Sequence, residues 1–97
     1  MTKITKSALL DLAQAAVADR GLNYGSPEDN FRRIAVRWRA HILNRFGIEV
    51  AIDAASVAIM CGDIKMARLE NQPAHLDSWA DLAGYAACGA SITCEEP

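Results

Sequence analysis

The chain has no C-x-x-C pair, and its three cysteines, Cys61, Cys88 and Cys94, are an odd number. Neither a zinc site nor a disulfide framework is expected, and reduced thiols fit a cytoplasmic protein. No uncharged apolar stretch approaches the roughly 20 residues that span a bilayer. The basic amino terminus leads into an apolar run, but Asp11, Gln14 and Asp19 interrupt it, so it does not read as a secretory signal. A membrane partner is therefore not expected. There is no glycine-rich phosphate loop, and a Ser-His-Asp arrangement cannot be read from spacing, so nothing points to nucleophilic catalysis. Proline and glycine together fill only nine of 97 positions, too few for a disordered chain. With a net charge of −2, the chain does not read as a duplex-DNA binder, although Arg32, Arg33, Arg37, Arg39 and Arg45 cluster locally.

Helix-forming signals are abundant. Hydrophobic residues make up 52% of the chain, and many are alanines, which favour helix and close helix approach. From Thr5 to Arg20, Leu9, Leu12, Ala13, Ala16 and Val17 recur at helical spacing, with Thr5 or Ser7 to cap and Gly21 to terminate. Gly21 to Ser26 reads as a turn-rich connection. A second helix starts at Ser26, with Pro27 in the first helical position and Glu28 and Asp29 in the first turn, and it runs to Phe46 before Gly47. Its apolar stripe includes Phe31, Ile34, Ala35 and Trp38. Ile48 to Ile52 is short and apolar, but too isolated to build a sheet. Asp53 caps a third helix that continues to about Asn71, and Pro73 separates it from a fourth running from about Ala74 to Ile92. The fold expected is a compact all-α bundle of about four helices in one domain, residues 1–97, with the last two as an antiparallel hairpin and a frayed tail over 93–97.

The stretch from Val57 to Cys88 carries the functional signal. Asp63, Lys65 and Arg68 lie late in its first apolar run, and Asp77 and Asp81 early in its second. A charge on a mostly apolar helix must be paired or bound. Asp77 and Asp81, at i and i+4, share a face and can hold a divalent cation, with Asp63 as a third acid. Their structural alternatives are a dipole-answering role for Asp77 and an ion pair of Asp81 with Lys65 or Arg68. Lys65 and Arg68, at i and i+3, suit a phosphate or carboxylate. Asp63 is about 200° from Lys65 around the helix, so one subunit does not aim both at one ligand. The Tyr24-Gly25-Ser26-Pro27 corner is a candidate anion contact or simply a capped turn. Trp79 is placed to stack on a base or to pack at a subunit interface, and Tyr85 to bond Asp81. His41 and His75 lack ligand spacing and receive no role.

Taken together, Tyr24-Gly25-x-x-x-x-Asn30-Phe31, Asp63-x-Lys65-x-x-Arg68 and Asp77-Ser78-x-x-Asp81-x-x-Gly84-Tyr85 resemble a family of small phage and prophage proteins of unknown function. That family is distantly similar to the all-α MazG-type nucleoside triphosphate pyrophosphohydrolases, which hold magnesium with acids on two antiparallel helices. The MazG-type pattern has a Glu-x-x-Glu pair followed by a Glu-x-x-Asp pair. This chain offers Asp63 with Glu70 seven residues on, then Asp77-x-x-x-Asp81.

The resemblance implies a phage-type protein that binds a nucleotide or related phosphate ligand, with residual hydrolase chemistry as its finer reading. Lys65 and Arg68 would grip phosphate, Asp63, Asp77 and Asp81 would hold magnesium, and Tyr24, Asn30 and Trp79 would be further ligand contacts. A non-catalytic sequestering or host-modulating protein and a purely structural helical oligomer stand as alternatives. Three site acids, where a hydrolase needs about four, favour binding over turnover. The apolar surface, including Trp79 and the alanine-rich last helix, predicts a homo-oligomer of dimer size or larger.

Overall fold

The computed structural model describes residues 2–97, with the side chain of Tyr24 outside that description. Four helices follow in order: α1 (Lys6–Tyr24), α2 (Pro27–Phe46), α3 (Ala54–Asn71) and α4 (Leu76–Thr93). There is no strand among the described residues, and the chain is an all-α bundle. No described helix is long and apolar enough to cross a membrane.

Local chemistry sets most of the boundaries. At the start of α2, the Ser26 hydroxyl accepts the Asp29 N–H at 3.2 Å, and Pro27 takes the first turn, where no amide partner is needed. Gly47 closes this helix at φ +69°, in the left-handed region that glycine enters at no steric cost. The Asp53 carboxylate opens α3 by accepting the Ser56 N–H at 2.9 Å and the Ser56 hydroxyl at 3.0 Å.

The first helix runs longer than its sequence predicts. It passes through Gly21 and ends only at Gly25, where φ is +80°. Glycine is tolerated inside a helix, and the Ser26-Pro27 start of α2 is what forces the break. Of the apolar stripe expected on α1, Ala13 is buried and Leu9, Ala16 and Val17 are partly buried, while Leu12 stays exposed. Val17 sits so close to Gly84 that a Cβ there would meet it at 3.3 Å, so small residues make this crossing.

The fourth helix begins at Leu76, two residues after the predicted start. His75 is its N-cap, with Nδ1 accepting the Ser78 N–H at 3.2 Å and lying 2.7 Å from the Ser78 hydroxyl. Ser78 is fully buried, and this contact satisfies it. The connection over 47–53 forms no strand, and Arg39 of α2 holds it by donating to the Ile52 carbonyl.

The α3–α4 hairpin is the centre of the molecule. Gly62 lies against Leu82, Lys65 reaches Asp81 and Gly89 lies against Ala58, so sequence numbers rise on one helix as they fall on the other. The pair is antiparallel, as expected from the short connection at Asn71 to Pro73, which the structure places over residues 72–75. Phe31, Ala35, Val57, Ala58 and Cys88 form the buried core, with Val17, Ile34, Trp38 and Tyr85 packed against it. α1 packs mainly on α4 and α2 mainly on α3, while α1 and α2 meet little.

Candidate functional site

A charged cluster lies where α1, α3 and α4 approach. Lys65 Nζ is 3.0 Å from Asp81 Oδ2, and Arg20 Nη2 is 3.6 Å from Asp81 Oδ1. Arg20 Nη1 also donates to the Tyr85 hydroxyl at 3.2 Å, and its guanidinium lies 5.6 Å from the Tyr85 ring centroid. The Lys65 and Asp81 side chains are 16% and 19% exposed, so most of their attraction escapes screening by water; Arg20 is half exposed. Two cations, Lys65 and Arg20, share the Asp81 carboxylate.

This cluster borders a cavity of about 330 Å³ between α1, α2 and α4. Phe31 and Tyr85 supply its aromatic wall, with ring centroids 6.2 Å apart. Arg20, Asn30 and Asp81 supply polar groups, and Gly21, Gly25 and Gly84 keep it open. The volume lies at the lower end of the range for small-ligand sites, roughly 300–1,000 Å³. Nearby burial also shapes the thiols. Desolvation pushes the Cys61 and Cys88 thiols above their ordinary pKa, and the positive charge of Arg20 opposes that rise at both.

The residues named from sequence separate into different places. Of the expected phosphate pair, Lys65 is turned to Asp81, whereas Arg68 is exposed and lines neither this cavity nor the groove between α3 and α4. Asn30 lines the cavity. The backbone of Tyr24 ends α1 beside it, and the contacts of its side chain lie outside the described residues. Trp79 does not reach the cavity: its indole N–H donates to the Pro73 carbonyl at 2.8 Å and ties down the hairpin turn. Tyr85 bonds Arg20 rather than Asp81.

The three acids named for magnesium do not come together. Asp77 is exposed in the first turn of α4, Asp63 is exposed beside the α3–α4 groove, and Asp81 is held by Lys65 and Arg20. Among the described residues no group of three or more His, Cys, Asp or Glu side chains is placed to hold a metal ion. Within one chain, then, this set does not fit magnesium.

Sequence reasoning missed Arg20 and His75. Arg20 reads as a C-terminal cation ahead of Gly21, and only the continuation of α1 places it over Tyr85. His75 had a legible signal in His75-x-x-Ser78, a polar residue three positions before a helix amide that needs a partner.

The comparisons place these features in a family. The Gene 55 protein of Mycobacterium phage D29 is 35% identical over 91 residues, which cover 93% of this chain and 56% of that protein. The Gene 55 protein of Mycobacterium phage L5 is 36% identical over 67 residues, covering 69% of this chain and 40% of that protein. The chain thus spans about half the length of these curated relatives. No solved structure matches it. Both relatives are phage proteins, in agreement with the phage-type resemblance drawn from the Tyr24 to Tyr85 motifs. Residues 8–93 match the family described as a domain of unknown function, DUF6378, and the chain belongs to that family.

Proposed function

We propose that this phage-type protein binds a nucleotide or a related small phosphate-bearing molecule in the cavity between α1, α2 and α4. One observation carries the reading: the Arg20 guanidinium lines a cavity with an aromatic wall, beside the Asp81–Lys65 pair. Arg20, half exposed in the cavity lining, carries a planar guanidinium of the kind that suits phosphate. Phe31 and Tyr85 give a flat ring an apolar surface to pack on. The Asn30 amide lines the same space and offers both donors and an acceptor to a base edge. The anion contact moves from the expected Lys65 and Arg68 to Arg20, with Lys65 acting behind it by neutralising Asp81.

Binding is favoured over turnover. MazG-type hydrolysis depends on acids gathered around magnesium, and Asp63, Asp77 and Asp81 are apart within one chain. The test is calorimetric titration with adenine, guanine, cytosine and uracil nucleotides as mono-, di- and triphosphates, with and without magnesium. At least one is expected to bind, and Asn30→Ala is expected to weaken it about tenfold, the effect of roughly one hydrogen bond. The Asn30 side chain makes no hydrogen bond within the protein among the described residues, so the melting temperature should hold. Failure of every nucleotide to bind at millimolar concentration would reject the reading.

A further inference from the structure

The α3–α4 hairpin has two apolar sides, and only one is covered. Val57, Ala58 and Cys61 of α3 and Cys88 of α4 face the core that α1 and α2 close. On the other side, Ala55, Ile59, Gly62 and Met66 recur at i, i+4, i+7 and i+11 on α3, beside Leu82, Ala86 and Gly89 of α4. They enclose a groove of about 380 Å³ that no residue of α1 or α2 lines. Ile59 is 69% exposed and Met66 51%. Among the described residues, Asp63 is the only charged one lining it.

The total surface says how much is left uncovered. The chain exposes 7316 Å². A folded monomer of 10.5 kDa is expected to expose roughly 5,400 Å², an excess of about 1,900 Å². The extended ends, residues 2–5 and 94–97, and exposed apolar side chains on all four helices, among them Leu22, Phe46, Ile59 and Met66, contribute to that excess. The radius of gyration points the same way, at 15.2 Å against roughly 12–13 Å for a single domain of this length. An excess of this size is comparable to what each partner buries in a stable homodimer, about 1,000 Å² or more.

We propose that the α3–α4 face is a homodimer interface and that its occupant is the same face of a second copy. A two-fold contact makes this face its own partner. Ile59 and Met66 form a ridge beside a trough floored by glycine and alanine, so a two-fold axis sets the ridge of each copy into the trough of the other. The near absence of charge on the face favours an apolar partner of this kind over an acidic or basic one. The result is a four-helix layer, α3 and α4 from each copy, with α1 and α2 outside. The ligand cavity lies on the side of the hairpin that α1 and α2 cover, and Tyr85 lines both it and the groove.

Sedimentation and light scattering on the full chain at 1–100 µM test this, the concentrations being on the order of those that separate micromolar from weaker dimers. The wild-type protein is expected at twice the 10.5 kDa chain mass. Ile59→Lys with Met66→Lys is expected to run as a monomer with its helical circular dichroism intact, because both side chains are already exposed in the single chain. Should that variant lose helix, Ile59→Ala with Met66→Ala replaces it and is expected to weaken the dimer at least tenfold. Leu22→Lys, on α1 and 89% exposed, is expected to leave the mass unchanged. A wild-type monomer throughout the range, a dimer that survives both pairs of substitutions, or dissociation by Leu22→Lys would each overturn the proposal.

Discussion

Asp81 of α4 is bound to Lys65 of α3 at 3.0 Å, with both side chains more than four-fifths buried. This contact joins the two halves of the central hairpin, and Arg20 extends it to α1. An ion pair this sheltered depends on both members, because removing one strands the other in a poorly hydrated place.

Asp81→Asn is therefore expected to destabilise the protein by about 1.5–3 kcal/mol, the range for hydrogen bonds to charged groups. The figure stays below the ~3–5 kcal/mol of a fully buried stranded charge because water reaches the Arg20 end. Urea unfolding at neutral pH measures it. Millimolar magnesium is expected to leave the melting temperature of the wild-type protein unchanged, since Asp81 already has two cations. A magnesium-dependent rise that Asp81→Asn removes would restore a metal to this carboxylate.

Gly21 and Gly47 should respond in opposite directions. Gly21 lies inside α1, and a Cβ there meets nothing within 4 Å, so Gly21→Ala is expected to stabilise by about 0.5–1 kcal/mol. Gly47 holds φ +69°, so Gly47→Ala is expected to destabilise by about 1–2 kcal/mol. Melting temperatures of the two variants decide it. Destabilisation by Gly21→Ala would instead end α1 at that glycine.

The three thiols are expected to react at different rates. Burial raises the pKa of Cys61 and Cys88, which lowers their thiolate fraction at neutral pH and hinders access, whereas Cys94 is exposed. A chromogenic disulfide reagent at pH 7.5 should label one thiol quickly and two slowly. Cys94→Ser should abolish the fast phase, and labelling of all three at one rate would contradict the packing around Cys88.

Asp53 gives a defined acid dependence. The Ser56 backbone N–H, and then its hydroxyl, hold the Asp53 carboxyl below its ordinary pKa. A carboxyl whose pKa is lowered on folding contributes stability that is complete above its unfolded pKa and is lost as pH falls through the folded one. The cap contribution should be constant from neutral pH to just above the usual carboxylate range and decline below it. Asp53→Asn keeps a side-chain acceptor and should flatten that decline, and Asp53→Ala should lower stability at neutral pH. Identical acid unfolding of the wild-type and Asn proteins would remove Asp53 from the account.

The helices themselves were set by residues close together in the chain. Ser26-Pro27, Gly47 and Asp53 mark their boundaries because capping satisfies amides within three or four residues, so the sequence carries the whole interaction. The short Pro73 connection likewise determined an antiparallel hairpin. Only tertiary structure decided where the charges went. Lys65 and Asp81 are 16 residues apart, and Arg20 and Tyr85 are 65 apart, so no local pattern could choose Lys65 over Arg68 for Asp81 or Arg20 as the third member. The choice follows from the direction each side chain takes once α1 continues past Gly21 and small residues at Gly62, Gly84 and Gly89 let the helices close in. Helical spacing shows which residues share a face, whereas packing decides what that face meets.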